Sequence, residues 1–284
     1  MEKAVYHLPG LFEFYDFYRK FLPIYREKTE YFYDWCQIGS LYGAPADCLW
    51  AGGRVSTGNA DPRQVLALTE EYGLSARLTF SNSLLRPEHL KDPKCNRLCA
   101  LFGAESGNGV IVHSELLLDY LKEKYPNFYF VSSTTKVLTD FEDLAAETER
   151  PDFRYVVPDF RLNKAFDRLA GLKEKRKVEF LCNECCWPGC RERKACYENV
   201  SRKNLGEHCP DHICAAPEGE KGYRFSAAMK NPAFIGIRDI RETYLPMGFS
   251  QFKIEGRGLG SAMLLEFILY YLTKPEYQLP LREE

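Results

Sequence analysis

From residue 47 onward the chain switches repeatedly between short β-rich apolar runs and helical stretches, and this alternation limits the fold more than any other feature. The runs are DCLWAGG (47–53), ARLTFSN (76–82), GVIVHS (109–114), FYFVSS (128–133), FRYVVPD (153–159), KVEFLCN (177–183) and QFKIEG (251–256). AFIGI (233–237) is a candidate eighth. Between them, 62–72, 114–124, 162–175, 238–247 and 260–272 read as helices. Strand–helix–strand order implies parallel strands joined by crossover helices. The runs lack strict polar alternation, as strands covered on both faces do. Seven or eight such units fit a closed barrel better than an open sheet. The expected fold class is therefore α/β: a TIM-like (β/α) barrel, irregular in places.

Residues 10–42 are aromatic and charged and are interrupted at Pro23, a pattern that reads as one or two amphipathic helices. The expected organisation is an N-terminal helical extension, 1–44, packed on a barrel domain, 45–284. A long cysteine-rich insertion, 184–232, follows the sixth of the runs.

At 284 residues and 45% hydrophobic composition the chain can bury a substantial core. With 38 Lys+Arg against 40 Asp+Glu, bulk charge supplies no general attraction to nucleic acid or membrane. No apolar run reaches the roughly 18 residues of a membrane span. The longest, SAMLLEFILYYL (261–272), also carries Glu266. No basic segment precedes an apolar one at the N-terminus. A cytoplasmic location is expected, where clustered cysteines bind metal or carry redox chemistry more often than they form disulfides.

The runs end in polar residues: Ser81–Asn82–Ser83, His113–Ser114, Ser132 to Thr135, Asp159 with Arg161 and Asn163, Asn183–Glu184, and Glu255 with Arg257. Functional sites of such barrels lie at the C-terminal ends of the strands. Polar residues also end strands simply as turn formers. As a set they suggest one polar cavity, with Asn82, His113, Asp159, Glu184 and Glu255 on its wall.

Five of the eleven cysteines fall within 182–196. Cys182 sits in a strand, and Cys36, Cys48, Cys95 and Cys99 in apolar settings, where an inert buried thiol is the default. That leaves Cys185, Cys186, Cys190, Cys196, Cys209 and Cys214. Cys186-x3-Cys190 and Cys209-x4-Cys214 form two close pairs about twenty residues apart, with Pro188 and Gly189 supplying a turn. Four thiolates so spaced suit either zinc or an iron–sulfur cluster, and spacing alone does not choose. There is no C-x3-C-x2-C run, dinucleotide-binding G-x-G-x-x-G, P-loop or H-E-x-x-H; GRGLGS (256–261) has the wrong spacing. His113 beside Ser114 is weak support for a nucleophile–base pair, since strand neighbours point to opposite faces.

NECCWPGCRERKAC (183–196), followed by GIRDIRETYLPMGFSQFKIEGR (236–257), resembles the collagenase-like U32 peptidase family. The pattern falls on Asn183, Cys186, Pro188, Cys190 and Arg193, then on Ile237–Arg238, Tyr244, Gly248 and FKIEGR (252–257), its most specific element. FVSSTTK (130–136) and YVVPDFRLN (155–163) are similar to the family's fourth and fifth strand ends, and the likeness runs from about Pro45 to Lys274. The resemblance implies a TIM-like barrel. It also implies, for a hydroxylase-like branch, a [4Fe–4S] cluster used in oxygen-independent hydroxylation of RNA bases or quinone precursors. The implied metal ligands are Cys186 and Cys190, with Cys209 and Cys214 by position. Cys196 departs from the pattern and stands as a substitute for either downstream ligand.

Glu184, Arg193, Glu255, Arg257, His113 and Asp159 are the expected catalytic or positioning residues, acting on a small-molecule or RNA-base substrate. Arginine suits a carboxylate because its planar fork gives two parallel hydrogen bonds. Two other readings are a peptidase or peptidase-associated protein, and a non-catalytic subunit whose zinc or cluster staples the loop beside a related partner subunit. Glu255 with Arg257 has a plainer reading as an ion pair closing the barrel.

Overall fold

The computed structural model describes residues 2–52, 58–184, 186–217 and 222–284. Eight parallel strands form one sheet: β1 (Ala4–Pro9), β2 (Cys36–Gly43), β3 (Ser75–Phe80), β4 (Gly109–Val112), β5 (Tyr129–Ser132), β6 (Phe153–Val156), β7 (Glu179–Leu181) and β8 (Gln251–Lys253). Their order is β6-β5-β4-β3-β2-β1-β8-β7, and a parallel bridge between Val156 and Val178 brings the two ends together. This is a nearly closed TIM-like barrel. Its irregularity lies in the three-residue strands β7 and β8 and in register shifts at Tyr6/His7 and Phe130/Val131.

The N-terminal expectation is corrected. Residues 15–27 are helical (α1, Tyr15–Glu27, with Pro23 inside), but the flanking segments are β1 and β2, integral to the barrel. Aromatic residues concealed them: Tyr6, Trp35 and Tyr42 are buried side chains of sheet and adjoining turn, not one face of a helix. DCLWAGG is not a strand over its described residues. Asp47 takes a left-handed φ of 57°, and Trp50 is drawn in by packing, its indole N–H donating to the His89 carbonyl at 2.7 Å. Gly53 lies outside the described residues. AFIGI makes a single strand-like bond, Ile235 N–H to the Cys182 carbonyl at 3.0 Å, before turning helical. The cysteine-rich insertion therefore follows the seventh strand in chain order.

Helices α2 (Pro62–Glu71) and α3 (Pro93–Phe102) start alike: Asp61 and Asp92 accept backbone N–H groups, and proline occupies the first helical position. α4 (Glu115–Lys124) and α5 (Phe141–Glu149) are capped by Ser114 and Asp140. The expected helix at 162–175 shortens to α6 (Phe166–Leu169) flanked by tight turns. α7 (Arg193–Asn204) and α8 (Phe225–Ala228) lie within the insertion. α9 (Ile237–Asp239) runs into a π-turn, and α10 (Ser261–Tyr271) follows β8.

Two apolar clusters divide the core. The larger joins Tyr6, Leu78, Phe80, Val110, Phe180 and Phe252 to helix residues such as Leu117 and Phe267, so it fills the space between sheet and helices. The smaller comprises Tyr42, Ile111, Val131, Val157 and Leu181, from five different strands or strand ends. Side chains from so many strands meet without any helix residue only on the inner face of a barrel. Alternation along each strand then fixes which residues look inward. On β3 and its extension these are Arg77, Thr79 and Ser81; on β8 and its extension, Gln251, Lys253, Glu255 and Arg257.

Candidate active site at the C-terminal rim

The inward parity delivers polar side chains to two levels. At the floor, the Arg77 guanidinium lies 2.5 Å from the Glu179 carboxylate, and Lys253 Nζ lies 3.3 Å from the same group. His7 Nε2 joins them directly, 3.5 Å from Glu179 and 3.4 Å from Arg77, and its ring nitrogens also meet Ser40 and Gln251 at 2.8 and 3.0 Å. Burial, reinforced by Arg77, lowers the His7 imidazole to about 3. Arg77, His7 and Lys253 hold Glu179 below the usual carboxylate range against the opposing effect of burial, its largest single influence. Desolvation lowers Lys253 to about 8, while its ammonium sits 3.5 Å above the Tyr42 ring.

Above this floor opens a cavity of about 1070 Å³, lined by Ser81, Ser133, Glu184, Lys253, Glu255 and Arg257 among others. These residues lie at or just past the C-terminal ends of β3, β5, β7 and β8, so the cavity occupies the face where barrel enzymes carry their chemistry. The insertion supplies the opposite wall, including Trp187, Tyr197 and Tyr223.

The predicted site residues fall into groups. Glu184, Arg193, Glu255 and Arg257 all line the cavity. Asp159 is fully buried behind it, where Arg193 Nε approaches at 3.3 Å and Arg161 Nε donates at 2.6 Å. Arg193 Nη2 also pairs with Glu184 at 2.7 Å. This network grips the cysteine loop. Glu184 accepts from the Cys186 N–H at 2.9 Å, and Arg161 donates to the Cys190 carbonyl at 2.8 Å. Asn231 donates to the carbonyls of Glu184 and Cys186. Asp159, Glu184 and Arg193 thus position the loop that carries the thiols.

His113 lies beside the cavity, with Nδ1 2.8 Å from Thr135 Oγ1, which donates to Ser133 Oγ at 2.9 Å. Burial lowers His113 to about 4, with Lys136 and Lys194 adding to the effect, so it is neutral at pH 7. Asn82 is buried in structural service: its amide donates to the carbonyls of Leu49 and Ser201, and its oxygen accepts from Leu84 N–H. Asn183 ties β7 to β8, accepting from Glu255 N–H at 2.7 Å.

Arg257 finds a partner the sequence reading did not consider. Nη1 lies 3.5 Å from Glu13, and Nη2 donates to the Gly52 carbonyl at 3.1 Å. Burial raises the Glu13 carboxyl, and Arg257 opposes the rise. Gly52 has no room for a side chain, since a Cβ would lie 2.3 Å from the Ser81 backbone. Lys253 was also missed, although it alternates with Phe252 and Ile254 inside FKIEGR and is thereby marked as inward.

Of the clustered cysteines, Cys186, Cys190, Cys196 and Cys214 line the cavity. Cys209 turns to α7, its sulfur 3.6 Å from Asn199 Nδ2. Cys185 lies outside the described residues. Among the described residues no group of three or more His, Cys, Asp or Glu side chains is gathered as a metal site requires. The thiols therefore suit a soft metal or cluster in kind and in sharing one cavity, but they do not form a coordination sphere as they stand.

The architecture can be matched against solved structures. One, the U32 peptidase Mk0906, superposes over 91% of this chain and 94% of its own, with a TM-score of 0.58 and 15% identity. The chain has a U32-peptidase-like fold. At that identity the likeness to the U32 peptidase is one of architecture, and the rim site is this chain's own. The sequence matches no family model and no curated protein. No helix among the described residues is long and apolar enough to cross a membrane.

Proposed function

We propose that the protein is a redox enzyme working in the rim cavity. Its substrate would be small or nucleobase-like, its chemistry hydroxylation-type and independent of oxygen, and its cofactor a [4Fe–4S] cluster. The observation that carries this reading is that four thiols, Cys186, Cys190, Cys196 and Cys214, line the same cavity as Glu184, Glu255 and Arg257. A cluster held by cysteine thiolates would supply one-electron transfers there. Cys196 takes the place first given to Cys209. The other roles belong to side chains of this chain. Trp187, Tyr197 and Tyr223 offer faces for a planar group. Arg257, fixed by Glu13, offers a guanidinium to a carbonyl or anionic oxygen. Glu184 and Asp159, both engaged by Arg193, keep the cysteine loop in place.

Anaerobic purification followed by absorption spectroscopy and metal analysis tests the reading. About four irons and four sulfides per chain, lost in Cys186→Ala and Cys190→Ala, is the expected result. A colourless protein holding one zinc would instead mark a structural staple and overturn the redox assignment.

A hydrolytic reading has two supports: the fold neighbour is a peptidase, and cavity-lining Thr135 lies 2.8 Å from neutral His113. It predicts peptide cleavage by metal-free protein that His113→Ala abolishes.

A further inference from the structure

Away from the rim, a second pair of thiols meets in the core. Cys48, in the loop between β2 and α2, has its sulfur 3.2 Å from that of Cys95 in the first turn of α3. Both are buried, at 3% and 0% exposure. The two positions are 47 residues apart in sequence. A disulfide has an S–S bond of about 2.05 Å, so a closing movement of roughly 1 Å would join them. We propose that Cys48 and Cys95 form a reversible disulfide that fastens the β2–α2 loop to α3 when the protein meets a peroxide.

The position gives the bond a consequence for the cavity. The Trp50 carbonyl accepts from Asn82 N–H at 3.1 Å, and the Ala51 carbonyl from Asn204 Nδ2 at 2.6 Å. The Gly52 carbonyl accepts from Arg257. Joining Cys48 to α3 anchors the segment that holds Arg257 and the end of α7. α3 is firmly set, with Cys95 N–H bonded to Asp92 at 2.7 Å and Lys94 Nζ donating to the Ala46 carbonyl at 2.5 Å.

The oxidant must be small and neutral to reach buried sulfurs, which hydrogen peroxide is. The two sulfurs share one contact, so either can react first, here Cys48. Its sulfur attacks the peroxide, an S–O bond forms as the O–O bond breaks, and one water leaves with the thiol proton. Cys95 sulfur then displaces the hydroxyl group as a second water and forms the S–S bond. Two thiols have lost two electrons and one peroxide has gained them.

Hydrogen peroxide is the probe. The purified full chain is treated, its remaining thiols are alkylated, and a tryptic digest is analysed without reduction. Cleavage after Arg97 separates Cys95 from Cys99, and fragmentation of the linked peptide separates Cys48 from Cys36. The expected result is a Cys48–Cys95 peptide lighter by two hydrogens, lost on treatment with dithiothreitol. Because the link closes a long loop, the oxidised wild type should melt several degrees above the reduced form, a difference absent in Cys48→Ser. Oxidation of the rim cysteines with Cys48 and Cys95 still alkylatable after unfolding overturns the proposal. So does a link from either residue to Cys99. The wild-type mapping decides the matter even if the serine variant fails to fold.

Discussion

Arg77 and Arg193 are both buried guanidiniums paired with buried carboxylates, one at the floor of the barrel and the other at its rim. Around Arg77 every partner is a strand residue: Glu179 on β7, Tyr129 on β5 and His7 on β1. Charge there ties the strands across the barrel's interior. Arg193 instead opens a helix, and it reaches Asp159 and Glu184, which themselves engage Arg161 and Cys186. Charge at the rim ties a loop to the strand ends. Similar ion pairs thus serve closure at one level and presentation of thiols at the other.

The sharpest way to break that distinction is to remove each arginine. Arg77→Ala leaves Glu179 in the interior with Lys253 as its remaining cation and should cost about 3–5 kcal/mol in urea denaturation. Arg193→Ala should cost less, about 2–3 kcal/mol, because water from the cavity can reach Glu184. It should also speed alkylation of Cys186 and Cys190, which Arg77→Lys should leave unchanged. Equal losses, or equal thiol reactivities, would erase the difference between the two levels.

Acid titration separates the levels by their histidines. Both imidazoles are lowered on folding, so the unfolded chain takes up their protons first. Their contribution is present above the ordinary histidine value of 6.5 and is lost as pH falls towards about 3 for His7 and about 4 for His113. Each should remove stability by up to about 1.4 kcal/mol per pH unit within its window. Stability curves from pH 7 to 4.5 should flatten in both His7→Gln and His113→Gln, and below about pH 4 only His7→Gln should still differ from wild type in slope. No flattening in His7→Gln would mean the floor is wet.

The smallest effect concerns Cys209. Facing Asn199 and not the cavity, it should tolerate Cys209→Ser within about 0.5 kcal/mol. Metal content should also match wild type, whereas Cys196→Ser should lower it. The reverse outcome would restore the ligand set first drawn from the family resemblance.

The barrel was legible because six of its strands announce themselves as apolar runs between helices; 62–72 and 114–124 correspond closely to α2 and α4, whereas α3 was not read, although Asp92–Pro93 opens it as Asp61–Pro62 opens α2. β1 and β2 were hidden by composition. Tyr6, Tyr42 and their neighbours carry aromatic bulk that suits a helix face as readily as a strand inside two layers. The rim was legible in part: of the polar strand ends expected on one wall, Glu184 and Glu255 line the cavity, while Asn82, His113 and Asp159 do not. The choice between Cys196 and Cys209 was not legible. Which thiol turns inward depends on how α7 docks through Ser201 on Asn82 and Ser83, contacts spanning more than a hundred residues.

β1 pairs with β8 through Val5–Gln251, Tyr6–Phe252 and His7–Lys253. β1 is made before β8, so its second edge stays uncovered until β8 has been made. Until then Val5 and His7, whose backbone groups bond to the β8 side, present an open strand edge, the kind of surface that recruits wrong partners. Contacts this distant in sequence also slow folding. During synthesis that exposure lasts through translation of the residues that separate β1 from β8.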